Sequence, residues 1–477
     1  MKPGHARFLL PLLFAAVAVT APRTARAESA PGKFDNSFAD AILDRWAWEQ
    51  GKRSQIRLIK SVVIDAAIES SAAPGKTIPY HSVASGDGSF RHESTRPDGT
   101  VFIQAYDGKT GWQENETLGF GLIRPDDLAD LLHWDDVRAP LVVSDAYPYR
   151  KVLPGEIRLG DIPTQVVELT PEHGSTERWY FERDSARWRG VSRVATENRP
   201  AIALELDDWK IVEKIWFPFR ITYSGPGVTM TVRRKTIALN QPVDRPKFSP
   251  SPQRMAEAAE IEKILVHHLA AMGSREAVNR IRSSVRKQSV DVLSSGMKYE
   301  ATLSQKAPGL ILLAQNIPGL GWNYQGYDGH IGWGSNEIQG YRELKSAELL
   351  QLIYGSSLQL EAELQTVYPM RRLLGAREID GHPTKAVALA TSSTVNGTYY
   401  FDDETGRLLR IEGTFGVGAD GALSAVINFS DFRTVEGVTL PFVTTLTNPA
   451  LQVVTKTLSL DVNVPLDDAI FKPKKEE

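Results

Sequence analysis

Two kinds of periodicity run along the chain. Phe38, Ile42 and Trp46 recur at i, i+4 and i+8 behind Ser37 and Asp40, an N-cap and its N3 partner, and Gly51 stops the run. Ile261, Leu265 and Leu269 repeat that spacing and Gly273 stops it. A second amphipathic stretch pairs Leu128, Leu131 and Leu132 with Leu349, Leu352 and Ile353; its predicted starts are Pro125, a first-turn proline, and Ser346, an N-cap. The remainder reads as antiparallel strands. Leu423, Ala425, Ile427 and Phe429 alternate with Ser424, Val426, Asn428 and Ser430, the period of a strand with two unlike faces. Asp107-Gly108, Asp328-Gly329, Asp380-Gly381, Glu404-Thr405-Gly406 and Glu436-Gly437 supply the turns. The pattern predicts an α+β fold. A single sheet of so many strands must curl to bury its apolar face, and the inserted helix then plugs or caps the concave side.

The pattern is written twice. Tyr106-Asp107-Gly108-x-x-Gly111-Trp112 recurs as Tyr327-Asp328-Gly329-x-x-Gly332-Trp333, 221 residues on. Tyr147-Pro148 recurs as Tyr368-Pro369, Pro163-Thr164 as Pro383-Thr384, Tyr180-Phe181 as Tyr400-Phe401 and Pro218-Phe219 as Pro441-Phe442. Asn240-x-Pro242-x-Asp244-x-x-x-Phe248 returns as Asn463-x-Pro465-x-Asp467-x-x-x-Phe471. Offsets that drift by only a few residues over such a length predict two tandem domains with small loop changes, since a period this long is no solenoid. The expected division is 1–27 signal peptide, 34–243 first repeat, 244–252 proline-rich linker and 253–477 second repeat. The prolines at 242, 246, 250 and 252 suggest a stiff, extended connector. Trp112 and Trp333 are expected to be buried at equivalent positions.

The chain has 477 residues, 42% hydrophobic and 24% charged, with no cysteine and a formal charge of −3. These values exclude wholesale disorder, disulfides, thiolate metal sites and cysteine nucleophiles, and give no reason to expect nucleic acid as a partner. Lys2 and Arg7 precede the apolar run Phe8 to Val19, and Ala25-Arg26-Ala27 follows, the layout of a secretory signal peptide cleaved near Ala27/Glu28. The run has 12 residues, too short to span a bilayer. A soluble exported protein, most simply a periplasmic one, is the expectation. Without Lys2, Arg7, Arg23 and Arg26 its charge becomes −7.

The helix ending in Gly273, Tyr327-Asp328-Gly329 with Gly332-Trp333, Tyr399-Tyr400-Phe401-Asp402 with Thr405-Gly406-Arg407-Leu408-Leu409, and Gly437-Val438-x-Leu440-Pro441-Phe442 together resemble the bacterial lipoprotein-localisation carrier (LolA/LolB-like) superfamily. The first copy keeps the first and last of these motifs more loosely. The familiar carriers have one domain, and this chain has two. The resemblance implies two tandem unclosed antiparallel β-barrels, each with an N-terminal helix and a lid helix over an apolar cavity, carrying an apolar ligand. It transfers no binding residue, because none of these motifs is itself a ligand contact.

Candidate chemistry is sparse. Asp107 and Asp328 read as turn residues flanked by packing aromatics. Gly416-x-Gly418-x-x-Gly421 is followed by a strand-like run, so no helix N-terminus meets a phosphate there. The adjacent acids Asp126-Asp127, Asp135-Asp136, Asp207-Asp208, Asp402-Asp403 and Asp467-Asp468 are no catalytic dyads, since strand neighbours point to opposite faces. Asp402-Asp403-Glu404 reads as solvated turn acids. His267-His268 and His92-Glu93 lack metal-site spacing, and no nucleophile elbow or Walker loop is present. Arg233-Arg234-Lys235 reads as a sheet edge blunted by charge rather than a lipid-headgroup contact. No catalytic residue, cofactor or metal is expected.

The two copies differ most at Pro308 to Leu320, where Leu310 to Ala314 is continuously apolar, while the corresponding Phe90-Arg91-His92-Glu93 is polar. A strand apolar on both faces is buried on both. One face packs a helix; the other lines a cavity or meets a neighbouring domain, and periodicity leaves these two open. The candidate ligand-binding residues are Leu310, Leu312, Leu349, Leu352 and Ile353. The leading functional reading is a non-enzymatic periplasmic carrier or binder of a lipid, acyl chain or acylated protein, in transient contact with a membrane surface or membrane protein. The alternatives are an interaction or scaffold protein with filled barrels and, more weakly, an enzyme using the concave cavity.

Overall fold

The computed structural model describes residues 36–71, 73–96, 98–124, 128, 138–171, 176–193, 202–225, 228–307, 309–344, 349, 352–353, 362, 364–391, 395–416 and 422–473. The signal segment, Pro125, Leu131, Leu132, Ser346 and residues 417–421 of the glycine motif lie outside these residues. The chain divides into two compact units, 1–254 and 255–477.

Unit 1 opens with α1 (Ser37–Gly51) and α2 (Arg53–Ile56). Six strands follow: β1 (Ser61–Ser70), β2 (Thr77–Ser85), β3 (Phe90–Thr95), β4 (Val101–Tyr106), β5 (Gly111–Asn115) and β6 (Gly119–Leu122). After α3 (Ala139–Ala146) come β7 (Tyr149–Val152), β8 (Ile157–Leu159), β9 (Ile162–Thr170), β10 (Glu177–Glu182), β11 (Trp188–Arg193), β12 (Ile202–Val212), β13 (Ile215–Gly225) and β14 (Val228–Leu239). Every pairing is antiparallel, in the order β6-β5-β4-β3-β2-β1-β14-β13-β12-β11-β10-β9, with β7 and β8 both on β9. The sheet curls and stays unclosed. β1 and β14 join its two halves, Val62 opposite Leu239.

The helix α4 (Pro252–Met272) has all but its first three residues in unit 2, and α5 (Arg275–Arg280) follows it. Then come β15 (Ser283–Val292), β16 (Met297–Lys306), β17 (Leu310–Ile317), β18 (Gly321–Tyr327), β19 (Gly332–Asn336) and β20 (Gly340–Glu343). After α6 (Leu364–Val367) the strands are β21 (Met370–Ile379), β22 (His382–Ala390), β23 (Val395–Asp402), β24 (Leu408–Gly416), β25 (Ala422–Val435), β26 (Val438–Thr447) and β27 (Gln452–Val462). Their order, β20-β19-β18-β17-β16-β15-β27-β26-β25-β24-β23-β22-β21, has the plan of unit 1. Asp380-Gly381 and Glu436-Gly437 make hairpins with both residues at positive φ, the twist that a tight antiparallel turn needs.

Each opening helix buries one stripe. In α1 it is Ala39, Leu43, Trp46, Ala47 and Gln50. Phe38, expected on that face, is 76% exposed: it stands one position off the stripe, about 100° around the helix from Ala39. Trp46 packs edge-on to Trp179 at 5.6 Å and also against Phe181 and Trp188. In α4 the buried residues are Ile261, Leu265, His268 and Met272; Ile261 and Leu265 share a core with Tyr399, Phe401 and Leu408, and Met272 packs with Val278, Val438 and Leu440.

Arg233-Arg234-Lys235 is not at an edge. It lies in β14, between β1 and β13. Arg233 pairs across the strand with Glu69 at 3.2 Å, and Arg234 turns to the other face and donates to the Pro218 carbonyl.

Candidate functional site

The repeated motifs prove to be joints. Asp107 Oδ1 accepts the amides of Lys109 and Thr110, and Asp328 Oδ1 those of His330 and Ile331. Burial works to raise the Asp107 carboxyl, but these amides and the Ser249 hydroxyl outweigh it and hold its pKa below the ordinary value. Tyr106 and Tyr327 donate to the carbonyls of Gly108 and Gly329. Trp112 and Trp333 are 3% and 0% exposed. Their indole N–H groups donate to the carbonyls of Phe248 and Phe471, at 2.7 and 2.8 Å. Those phenylalanines end matching 3-10 turns, Arg245–Phe248 and Asp468–Phe471. The proline-rich segment expected to be an extended connector is therefore, over 245–248, a short turn seated on unit 1. Asn240 and Asn463 complete the joint by accepting the amides of Lys60 and Arg282.

The apolar strand β17 splits its residues by parity. Leu312 packs with Trp333 and Phe471, and Leu310 lies against the same cluster. Ile311 and Leu313 face the other way, onto Leu303, Leu344 and Tyr327 and onto the helical residues Leu349, Leu352 and Ile353. Of the five candidate residues, then, Leu349, Leu352 and Ile353 come together, while Leu310 and Leu312 sit on the opposite face of the sheet. The sequence reading missed Ile311, Leu313, Leu303 and Leu344. The signal that finds them is register: Leu303 lies opposite Leu313.

Gly332 sets how closely the helical segment approaches. A Cβ there would stand 2.4 Å from Leu349 Cδ1. The equivalent Gly111 faces Leu128 Cδ1 at 3.0 Å. This close approach is the second use of the Tyr-Asp-Gly-x-x-Gly-Trp motif. The apolar floor has a polar margin. Asn323 donates to Gln315 at 2.9 Å, Gln315 to the Tyr299 hydroxyl at 3.4 Å, and Asn336 to Asn323 at 3.4 Å. Burial raises the pKa of Tyr299, and burial with the nearby Asp328 carboxylate raises that of Tyr327, so both phenols stay protonated.

In unit 1 the charges on β3 avoid this face. Arg91 lies over the Trp112 ring at 5.6 Å, pairs with Glu93 at 2.6 Å and donates to the Lys247 carbonyl.

A small cleft, partly open to solvent and with room for about one water, adjoins α4 and is lined by His268, Met272, Leu408, Phe429, Phe432 and Pro441. His268 Nδ1 donates to the Gly406 carbonyl at 3.1 Å, and Nε2 has no partner among the described residues. Burial drives its pKa down to about 4. Asp402, in the acid run of the turn, accepts the Glu404 and Thr405 amides and the Thr405 hydroxyl. No group of three metal-ligating side chains occurs among the described residues.

No family model matches this sequence, and no curated protein matches it. Several solved structures are similar. A DUF1329 family protein from Desulfovibrio piger is 14% identical, with 44% of this chain and 96% of that one covered, at a TM-score of 0.34. A LolA superfamily protein from Nitrosomonas europaea is 13% identical over 44% of this chain and 97% of that one, at 0.32. Pseudomonas aeruginosa MucB in complex with MucA is 10% identical over 90% of this chain and all of that one, at 0.18. Among the described residues no helix is long and apolar enough to cross a membrane.

Proposed function

We propose that unit 2 holds an apolar ligand, an acyl chain or lipid, free or attached to a protein, between the inner face of β16–β20 and the helical residues Leu349, Leu352 and Ile353. The chain is read as a non-enzymatic periplasmic carrier built from two tandem copies of one domain. One observation carries this reading: Leu303, Ile311, Leu344 and Leu352 are buried, but Leu313, Tyr327, Leu349 and Ile353 beside them are only partly so. The floor is apolar and incompletely covered, which costs stability unless something fills it. Each methylene of a guest that leaves water there contributes roughly 0.8 kcal/mol.

The test is uptake of an environment-sensitive acyl probe by the full chain, with mass spectrometry of lipids extracted from the purified protein. Leu313→Asp and Ile353→Asp place an unpaired carboxylate on the floor and should weaken uptake by more than about a hundredfold. Uptake that survives both substitutions, in variants with native circular dichroism, rejects the site.

A further inference from the structure

The opening helices of the two units end alike and differ just before their ends. The Cβ directions of Gly51 and Gly273 each meet a hairpin carbonyl, that of Lys214 in unit 1 and that of Gly437 in unit 2. Counted back from these glycines, His268 and Met272 stand where unit 1 has Trp46 and Gln50. The rings match as well: Trp46 packs on Phe181 at 5.5 Å and His268 on Phe401 at 5.1 Å. His268 and Met272 are one helical turn apart on one face of α4, and each is 3% exposed. Both line the cleft beside α4, with Leu408, Phe429, Phe432 and Pro441 of β24 to β26 opposite. That cleft has room for about one water, so it suits a single ion and no organic molecule. The Gly406 carbonyl takes the Nδ1 proton of His268, which leaves Nε2 a lone pair with no partner among the described residues. A carbonyl on the far nitrogen is the arrangement that orients metal-ligating histidines. Gly406 permits it: a Cβ there would stand 2.7 Å from the His267 carbonyl, and its φ is +70°.

We propose that His268 Nε2 and the Met272 thioether hold one soft monovalent cation, copper(I). Thioethers select copper(I) over hard ions, and imidazole accepts it equally well. A filled-shell monovalent ion is satisfied by two donors in line. No carboxylate lines the cleft, so a divalent ion would find nothing there to balance its charge. His268 is uncharged at neutral pH, so an incoming ion displaces no proton from it. Both donors lie in the last turn of α4, at the negative end of the helix dipole, which favours a cation. Phe429 and Phe432 add ring faces that attract positive charge. Arg407, at the rim, is exposed and lies over the Phe432 ring at 5.1 Å. Its repulsion is smaller for a monovalent ion than for a divalent one. Unit 1, with an indole and an amide at the two positions, has no such pair of donors. This inference does not rest on the apolar site proposed above.

The experiment titrates the full chain with copper(I), kept reduced by ascorbate without oxygen, against a chromophoric copper(I) chelator. Silver(I) in chloride-free buffer serves as a redox-inert stand-in with the same taste in ligands. Wild type should bind both ions at micromolar concentration. His268→Phe and Met272→Leu should each weaken the tightest site by at least about tenfold, while His267→Gln, an exposed neighbour, leaves it unchanged. Zinc at the same concentration should not compete. Silver(I) should raise the melting midpoint of wild type and not that of either variant, which separates lost binding from lost folding. Nitrogen NMR of histidine-labelled wild type needs no variant: the His268 Nε2 signal should shift when silver(I) binds. Binding that persists in either variant, displacement by zinc, or a His268 signal that silver(I) leaves in place overturns the proposal. So does wild type that takes up neither ion, the behaviour of a cleft that holds only water.

Discussion

Gly332→Ala adds one methyl at the point where the helical segment of unit 2 meets the sheet. The new carbon would lie 2.4 Å from Leu349 Cδ1, 3.3 Å from Leu349 Cγ and 3.4 Å from Leu344 Cβ. Carbon pairs rest at about 3.5–4.0 Å, so Leu349 must retreat by more than about 1 Å. Overpacking of this kind costs about 1–3 kcal/mol, and the stiffer alanine backbone returns about 0.4–1 through the unfolded state. The expected net loss is about 1–2 kcal/mol. The same change at Gly111 meets Leu128 Cδ1 at 3.0 Å and should be close to neutral. In a domain of this size each kcal/mol moves the melting midpoint by about 2–4 °C, which differential scanning calorimetry resolves. Leu349→Ala removes the obstructing atoms, so the double variant should show a favourable coupling of about 1 kcal/mol or more. Strict additivity of Gly332→Ala and Leu349→Ala, or a Gly332→Ala protein more stable than wild type, would refute the packing described for this motif.

Three further outcomes are expected. Trp333→Ala removes a fully buried ring and its bond to the Phe471 carbonyl, and should cost about 3–5 kcal/mol in chemical denaturation; a loss below about 1 kcal/mol would make the motif a surface feature. His268, whose pKa lies lower folded than unfolded, contributes stability that is complete above its ordinary value of 6.5 and is lost as pH falls toward about 4. Denaturation between pH 7 and pH 4 should therefore show a loss on the order of 3 kcal/mol that His268→Phe largely abolishes; an identical pH slope in the two proteins rejects it. Residues 250–477 expressed alone should show the circular dichroism of a folded β-rich domain, and an unfolded fragment would end the tandem-domain reading.

The parts of the fold that local chemistry dictates were readable in the chain. Tyr106 to Trp112 and Tyr327 to Trp333 announce equivalent turns, and the structure gives them matching hydrogen bonds. What was hidden depends on pairing between distant strands. A run such as Leu310 to Ala314 is apolar at every position, so alternation cannot say which residues share a face; only the register with β16 and β18 separates Leu312 from Leu313. Arg233 to Lys235 resemble an edge because charge usually marks one, yet β1 covers that flank from the other end of unit 1. Ser82, Gln104 and Gln113 look like the solvent side of ordinary alternating strands, and nothing local to them records that they are buried. In α1, Phe38 drew attention by size, whereas the small Ala39 marks the true stripe.

The pairing of each unit's first strand with its last governs how the chain can be made. Val62 waits for Leu239, and Ser284 for Val462. During synthesis neither sheet can be completed until almost its whole unit has left the ribosome, and every earlier intermediate exposes β1 or β15 with one row of backbone groups unpaired. Contacts that join the ends of a long segment delay folding, because the loop they close must be ordered before they contribute. A nascent unit therefore stays open and capturable for most of its production, and removing its final strand leaves an unzipped sheet prone to pair with another chain.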